Sequence, residues 1–133
     1  MQEVTVVSGG RQGVPSELRT ATFVGEVWGD PVLPTTDRML VNTVHFAPGG
    51  RTNWHTHGIG QVLVVTAGEG LVFDRAGNGG RIRTGDVVHI PGGVEHWHGA
   101  AAESFMSHLA ISVDGHEWLD PVSEEEYSQA NRS

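Results

Sequence analysis

Short apolar stretches rich in Val, Thr, Ile and Phe alternate with glycine-rich polar segments along the whole chain. They recur at roughly 8–12 residue intervals, which is typical of strands in a sandwich or barrel. The pattern therefore predicts an all-β fold. The predicted strands are Val4–Val7, Thr22–Val27, Met39–Phe46, Gln61–Thr66, Gly70–Phe73, Asp86–Ile90 and Met106–Val113.

Three polar segments predict the connections and the tail. "GNGG" at 77–80 predicts a hairpin turn, and "GDPVLPTTD" at 29–37, with its two prolines, predicts an irregular loop. Near the C-terminus, Ser123 is followed three residues later by Glu126, the spacing of a capping box. We therefore expect one short C-terminal helix.

Length and composition narrow the class of protein. The 133 residues predict a single domain over 1–133, and the lack of cysteine excludes a disulfide framework. No apolar run reaches the ~18 residues of a membrane span, and residues 1–20 do not resemble a signal peptide. These features predict no membrane partner and a cytoplasmic location.

Charge and the N-terminal segment bear on partners. Sixteen acidic and eight basic residues give a formal charge of −8, and the basic residues are scattered arginines. A nucleic acid would be repelled, so we expect a small-molecule substrate and no nucleic-acid partner. "EVTVV" at 3–7 has no neighbouring strand in sequence, which predicts pairing between copies in a homodimer or homotetramer.

The histidines are concentrated in two segments that suggest a metal site. His55 and His57 point to one face of a strand, because side chains at i and i+2 share a face. A short glycine-containing turn brings Gln61 beside them, and a second strand offers His96. Three imidazoles and one amide oxygen leave two octahedral positions open, as a catalytic metal requires. Taken alone, two histidines at this spacing are more often ordinary core or surface residues than a pair of metal ligands.

The spacing around these histidines resembles both motifs of the cupin superfamily. The first comprises Gly49, five residues, His55-Thr56-His57, three residues, Gln61, six residues and Gly68. The second comprises Gly85, five residues, Pro91-Gly92-Gly93, two residues, His96, three residues and Ala100. Gln61 replaces the usual glutamate and Ala100 the usual asparagine. The resemblance implies an all-β cupin jelly-roll barrel that binds a divalent metal.

A narrower resemblance covers most of the chain. "PGGRTNWHTHGIGQVLVVTAGEG", "HWHGAA", "MSHLAI" and "EEEY" are similar to the small bacterial cupin hydroxynitrile lyases, which are manganese proteins. This resemblance implies Mn²⁺ first and Fe²⁺ next, while the ligand types alone leave Zn²⁺, Ni²⁺ and Co²⁺ open. It also implies the metal ligands His55, His57, Gln61 and His96, with His108 as base and Thr52 near the substrate.

Glutamine in place of glutamate changes the charge of the predicted site. Four neutral ligands leave a divalent ion its full charge of +2, which strengthens it as a Lewis acid and as a holder of anions. The same ligands make a trivalent state harder to reach. Gln61 therefore favours non-redox chemistry on an anionic fragment such as cyanide, an enolate, an alkoxide or a carboxylate.

The remaining histidines and two tryptophans receive separate predictions. His108 shares a face with Met106 and Ala110, which predicts an inward general base or, alternatively, a core histidine bonded to a carbonyl. His98 shares the face of His96 and is expected in the same pocket, as a further residue of the catalytic site. We expect structural or surface positions for His45, His89 and His116, and packing positions for Trp54 and Trp97.

Three functions are consistent with the sequence. The first is a lyase that cleaves a cyanohydrin reversibly to an aldehyde and cyanide, with the metal as Lewis acid and His108 as base. The alternatives are a Mn or Fe dioxygenase acting on an enol or catechol, and a cupin that binds a small molecule without turnover. The Gly29–Asp37 segment and the inward positions of Met39–Phe46 are expected to shape substrate choice.

Overall fold

The computed structural model describes residues 3–133 and shows a nearly closed jelly-roll β-barrel with one short helix at the C-terminus. A single 3-10 turn, Ser8–Gly10, precedes the strands. The strands are β1 (Glu17–Arg19), β2 (Phe23–Val24), β3 (Val27–Thr36), β4 (Met39–Phe46), β5 (Arg51–Thr52), β6 (His55–Thr56), β7 (Gly60–Asp74), β8 (Gly79–Arg83), β9 (Val87–Pro91), β10 (His96–Ala100), β11 (Met106–Val113) and β12 (Glu117–Trp118). The helix, α1, spans Glu124–Asn131.

Antiparallel pairing joins the strands into two sheets that share β7. Neighbouring strands follow the order β1-β3-β4-β11-β7-β10-β5-β2, while β8 and β9 pair with β7, and β6 pairs with β10 and β12. The first part of β7 pairs with β9 and β11, and the last part with β8 and β10. The pairing with β11 skips Thr66, and Gly68 then adopts φ 77°. This bulge turns the strand from one sheet into the other and helps to close the barrel.

Two apolar clusters hold the barrel together. One fills its interior around Phe46, Val65 and Met106, whose side chains are almost fully buried. The other lies outside β10, where Trp54 and Trp97 pack beneath α1, as expected from sequence. The helix thus covers the outer face of the strand whose inner face carries His96 and His98, and it fixes that strand's position.

Several strands match their predictions closely. β4 and β11 have the predicted ends. The predicted strand Asp86–Ile90 occurs one residue later, as β9. The two stretches Gln61–Thr66 and Gly70–Phe73 prove to be one continuous strand, β7, because the bulge redirects the chain without breaking its pairing.

The predicted loop at 29–37 is wrong, because residues 29–36 belong to β3. Pro31 and Pro34 are accommodated where the pairing of β3 with β4 shifts register. β1 pairs with β3 only from Val27 to Gly29, so within residues 3–133 the rest of β3 is a sheet edge. At an edge, proline's missing N–H does not interrupt a ladder of hydrogen bonds.

Two other strand predictions need correction. Thr22–Val27 is interrupted by a bend at Gly25, where φ is 81°, so it contains the whole of β2 and only the first residue of β3. Val4–Val7 is not a strand in this single chain, because no strand of the described chain lies beside it. Val4 and Val6 are 96% and 81% exposed. Pairing of this segment with a second copy stays a prediction.

The predicted capping box at Ser123 and the predicted hairpin at 77–80 are both confirmed. In the capping box, Ser123 Oγ accepts from the Glu126 backbone N–H, and the Glu126 carboxylate accepts from the Ser123 backbone N–H. β7 and β8 form the expected hairpin, although Gly79 and Gly80 already belong to β8. Asp74 closes this turn by accepting hydrogen bonds from two backbone N–H groups.

Candidate functional site

Strand pairing brings the predicted histidines together. His55 on β6 lies directly opposite His96 on β10, and the centres of their rings are 4.2 Å apart. The ring of His57 lies 5.1 Å from that of His55 and 5.5 Å from that of His96. All three side chains are buried. They converge inside the barrel, beside Gln61 at the start of β7.

Backbone carbonyls fix the orientation of these three imidazoles. The Nδ1 atoms of His55, His57 and His96 each lie 2.9 Å from a carbonyl oxygen, those of Asn53, Gly115 and Val94 respectively. A carbonyl only accepts, so each Nδ1 carries the proton. In the neutral ring, Nε2 then presents a lone pair toward the centre of the group. This is the arrangement in which histidines bind metals.

Burial keeps these rings neutral. It lowers the pKa of His55 well below the usual 6.5 and lowers that of His96 to about 4. Burial also lowers the pKa of His57. No proton therefore has to leave these nitrogens near neutral pH before they can bind a cation.

The amide of Gln61 is held by a cross-strand neighbour. Gln61 Nε2 donates to Ser112 Oγ at 3.0 Å, and Gln61 lies directly opposite Ser112 in the β7–β11 pair. In this orientation Gln61 Oε1 lies 3.0 Å from His96 Nε2. Both of these atoms carry lone pairs when His96 is neutral and protonated on Nδ1. Gln61 and His96 are therefore two residues that would hold a cation together, and its positive charge would offset their repulsion.

The donor set fits a divalent metal ion. His57 Nε2 is buried and has no hydrogen-bond partner, which is costly unless something binds it. Ligand atoms of His55, His96 and His98 also lie within 4.8 Å of one another. Imidazole nitrogens with one amide oxygen suit Mn, Fe, Co, Ni or Zn. There are thus two candidate sets of metal ligands. Both contain His55 and His96, and the third histidine is His57 in one set and His98 in the other.

His98 and His108 form a second pair directly behind the first group. His108 Nε2 lies 2.9 Å from His98 Nδ1, and the outer nitrogens, His98 Nε2 and His108 Nδ1, are buried without partners. Burial lowers the pKa of His98 well below 6.5 and that of His108 to about 4. The shared hydrogen bond holds one proton, which lies on either ring. The pair can therefore accept a proton at one end and carry it to the other.

Thr52 links the two groups. Its Oγ1 accepts a hydrogen bond from the His98 backbone N–H at 3.2 Å and lies 3.5 Å from His55 Nδ1. Because that Nδ1 already donates to a carbonyl, the Thr52 hydroxyl proton stays available for a molecule in the barrel.

A cavity of about 430 Å³ opens beside these residues. Thr52, Gln61 and His98 line it, whereas His108 does not. Its lining includes His116, which is exposed, as expected of a surface residue. The rest of the wall is mainly apolar, with a few polar side chains. These wall residues are Leu18, Arg19, Thr20, Ala21, Thr22, Phe23, Leu40, Asn42, Val44, Ala110, Ser112 and Trp118.

A polar network around His45 lies on the outer face of the sheet. His45 contacts Asp30 through Nε2 at 2.9 Å and Ser107 through Nδ1 at 2.7 Å. Ser16 donates to Asp30, and Arg11 lies 3.4 Å from it. This network attaches the N-terminal segment to β3, so His45 is structural, as predicted. His89 is exposed on β9.

Two residues of the site, Ser112 and Arg19, were not found from sequence. Both line the cavity, as does Asn42, which occupies one of the inward positions of Met39–Phe46 that were expected to shape substrate choice. Alternation along β11 would have placed Ser112 on the inward face once the strand ends were known. Arg19 lies on a three-residue strand that carries too little periodicity to be recognised.

Family comparison agrees with this geometry. Residues 42–112, more than half of the chain, match the cupin domain. The chain belongs to the cupin family. It is also 45% identical, over 111 residues, to an (R)-mandelonitrile lyase of Granulicella tundricola, covering 79% of this chain and 85% of that relative. This cupin therefore has a close relative named as a lyase.

Solved structures support the same fold. A cupin-like protein from Thermotoga maritima is 38% identical, with a TM-score of 0.83, and the match covers 87% of this chain and 93% of that one. A polyketide cyclase from Streptomyces resistomycificus, at 20% identity and a TM-score of 0.69 over 96% of this chain and 91% of its own, is similar in fold alone. In residues 3–133 this cupin has no helix long and apolar enough to cross a bilayer.

Proposed function

We propose that this cupin is a metal-dependent hydroxynitrile lyase that reversibly cleaves a small cyanohydrin to an aldehyde and hydrogen cyanide. The observation that carries the proposal is the group of four neutral donors next to the His98–His108 pair, beside the cavity. The relative named (R)-mandelonitrile lyase supports the choice of reaction.

His55, His57, Gln61 and His96 are the residues that we propose hold the metal, with Mn²⁺ first and Fe²⁺ next. We favour His57 over His98 as a ligand because a carbonyl fixes the proton of His57 on Nδ1, whereas His98 shares a proton with His108. When bound, a divalent ion supplies Lewis-acid stabilisation of negative charge on oxygen or cyanide.

Proton transfer in this reaction is assigned to a side chain of the protein. His98 lines the cavity and His108 does not, so His98 Nε2 is the nitrogen that meets the substrate hydroxyl. As the O–H bond breaks, its proton moves to His98, and the oxygen's electrons form the aldehyde C=O bond. The C–CN bond breaks with its electron pair on cyanide, which then takes the proton from the imidazole to leave as hydrogen cyanide.

His108 and Thr52 support this step in different ways. His108 Nε2 accepts from His98 Nδ1 when His98 Nε2 must present a lone pair, so His108 selects the tautomer of the base. Thr52 holds the His98 backbone and offers its hydroxyl proton to the substrate oxygen. The role first predicted for His108, direct contact with the substrate, is thereby assigned to His98.

The test uses the whole chain and unsubstituted mandelonitrile. The metal content of protein purified without added metal is measured first. Benzaldehyde release is then followed with metal-loaded and metal-free protein, while an electrode records dissolved oxygen. We expect metal-dependent benzaldehyde release without oxygen uptake. Oxygen uptake with enols or catechols, and no cyanohydrin cleavage, would instead indicate the dioxygenase; binding without any turnover would indicate a binding cupin.

A further inference from the structure

Arg19 is a cation that enters the barrel without an acidic partner. Arg19 lies directly opposite Val27, whose side chain is part of the interior core, so Arg19 also points inward. Within residues 3–133 its guanidinium forms no ion pair or hydrogen bond, although acidic residues outnumber basic ones two to one. Six other arginines do pair with a carboxylate: Arg11, Arg38, Arg51, Arg75, Arg81 and Arg83.

A glycine on the neighbouring strand makes room for this guanidinium. A Cβ at Gly29 would collide with Arg19 Nε and lie 2.7 Å from Nη2. The guanidinium therefore occupies the space that a side chain at this inward position would fill. It rests on the wall of the cavity, beside Val44, which pairs with Gly29 across the sheet.

Asn42 adds a second free polar group to the same wall. It is paired with Pro31 on one side and Ala110 on the other, and its amide makes no hydrogen bond to any residue of the described chain. The nearest cavity-lining side chains on its own strand, Leu40 and Val44, are apolar. An amide in such a wall can donate to an oxygen of a bound molecule.

This polar wall lines the same cavity as His55, His57 and Gln61 of the candidate metal group. Arg19 and Asn42 belong to β1 and β4, whereas Gln61 belongs to β7, and β11 lies between β4 and β7. Two strand spacings separate β4 from β7, or about 10 Å. A substrate that contacts both groups would place its reacting end at the candidate metal group and its other end at Arg19 and Asn42.

We infer that Arg19, with Asn42, binds a carboxylate at the distant end of the substrate. A guanidinium presents paired N–H donors that match a carboxylate, and a half-buried cation without a partner gains most from such an anion. This inference rests on the proposed function and specifies its substrate class as an aldehyde, or its cyanohydrin, that bears a carboxylate beyond an apolar spacer.

Calorimetry with 4-formylbenzoate and benzaldehyde tests the inference without requiring turnover. Wild type should bind the carboxylate compound roughly 10- to 100-fold more tightly than benzaldehyde, as expected for hydrogen bonds to a charged group. Arg19→Gln should remove this preference. Gly29→Ala, which keeps the charge but displaces the guanidinium, should weaken it. Arg83→Gln, which alters an arginine outside the cavity, should leave it intact.

A metal-free arm excludes direct binding of the carboxylate to the metal. The preference should persist in metal-free protein. If it disappears with the metal but survives Arg19→Gln, or if wild type shows no preference, the inference is overturned. Cleavage of unsubstituted mandelonitrile is measured separately, so a failed lyase proposal gives a different result from a failed carboxylate site.

Discussion

His108 Nε2 lies 2.9 Å from His98 Nδ1, and of the two rings only that of His98 reaches the cavity wall. The inner ring is fully buried, so it influences a bound molecule only through the outer one. A proton accepted at the cavity is thereby coupled to the tautomer of a residue that no substrate touches.

This coupling predicts the behaviour of two variants. His98→Gln should lower kcat by roughly 10²–10⁴-fold, the range for a lost general base. His108→Gln should lower kcat less and should change its pH dependence, because the tautomer of His98 is no longer selected. Both should keep the wild-type metal content. An unchanged pH profile in His108→Gln would show that the inner ring takes no part.

Metal content separates the two ligand groupings. His57→Gln should release most of the metal, since it removes the buried Nε2 that has no other partner. His98→Gln should retain it, and His89→Gln, at an exposed position, is the matched control. Elemental analysis after dialysis measures all three. Metal loss in His98→Gln with retention in His57→Gln would move the centre to His55, His96 and His98.

The network around Asp30 predicts a pH-dependent stability. The hydrogen bond from Ser16 holds the pKa of Asp30 below 3.8, with His45 and Arg11 acting in the same direction against the opposing effect of burial. The folded state therefore favours the carboxylate, and this stabilisation is present above pH 3.8 and lost as pH falls through the folded pKa.

Asp30→Asn should accordingly lower the free energy of unfolding by roughly 1–3 kcal/mol at pH 7. The difference from wild type should shrink as pH falls below 3.8, because the unfolded chain then binds a proton that the folded carboxylate still resists, and it should vanish only below the folded pKa. Urea denaturation at several pH values measures it, with Asp114→Asn, at an exposed ion pair, as control. A difference that stays constant down to pH 3 would contradict the role of the carboxylate.

The sequence predicted the parts of this fold that depend on local pattern. Met39–Phe46 and Met106–Val113 alternate or run apolar over eight residues, and the capping box at Ser123 depends on a three-residue spacing. The segment at 29–37 was misread, because its prolines indicate a loop unless the strand is known to be a sheet edge. Edge position depends on tertiary pairing, which no local pattern reveals.

The candidate site, like the fold, was predictable only where local sequence pattern decides which side chains share a face. The two motifs indicated the residues of the candidate metal group, since regular spacing on strands decides which side chains share a face. The order of His98 and His108 relative to the cavity was not predictable, because it depends on how β10 and β11 approach each other. The guanidinium of Arg19 over Gly29 likewise depends on the pairing of β1 with β3.

In the proposed function, four neutral donors, Gln61 among them, leave the full charge of a divalent ion available for the departing cyanide. The direct test is cyanide released per bound metal ion from mandelonitrile, measured side by side in wild type and Gln61→Glu. We predict that Gln61→Glu binds metal at least as tightly yet loses most of its turnover, because a carboxylate weakens the Lewis acid and repels the leaving anion. A Gln61→Glu variant that keeps its metal and turns over at the wild-type rate, or that gains oxygen-dependent turnover, would contradict the claim.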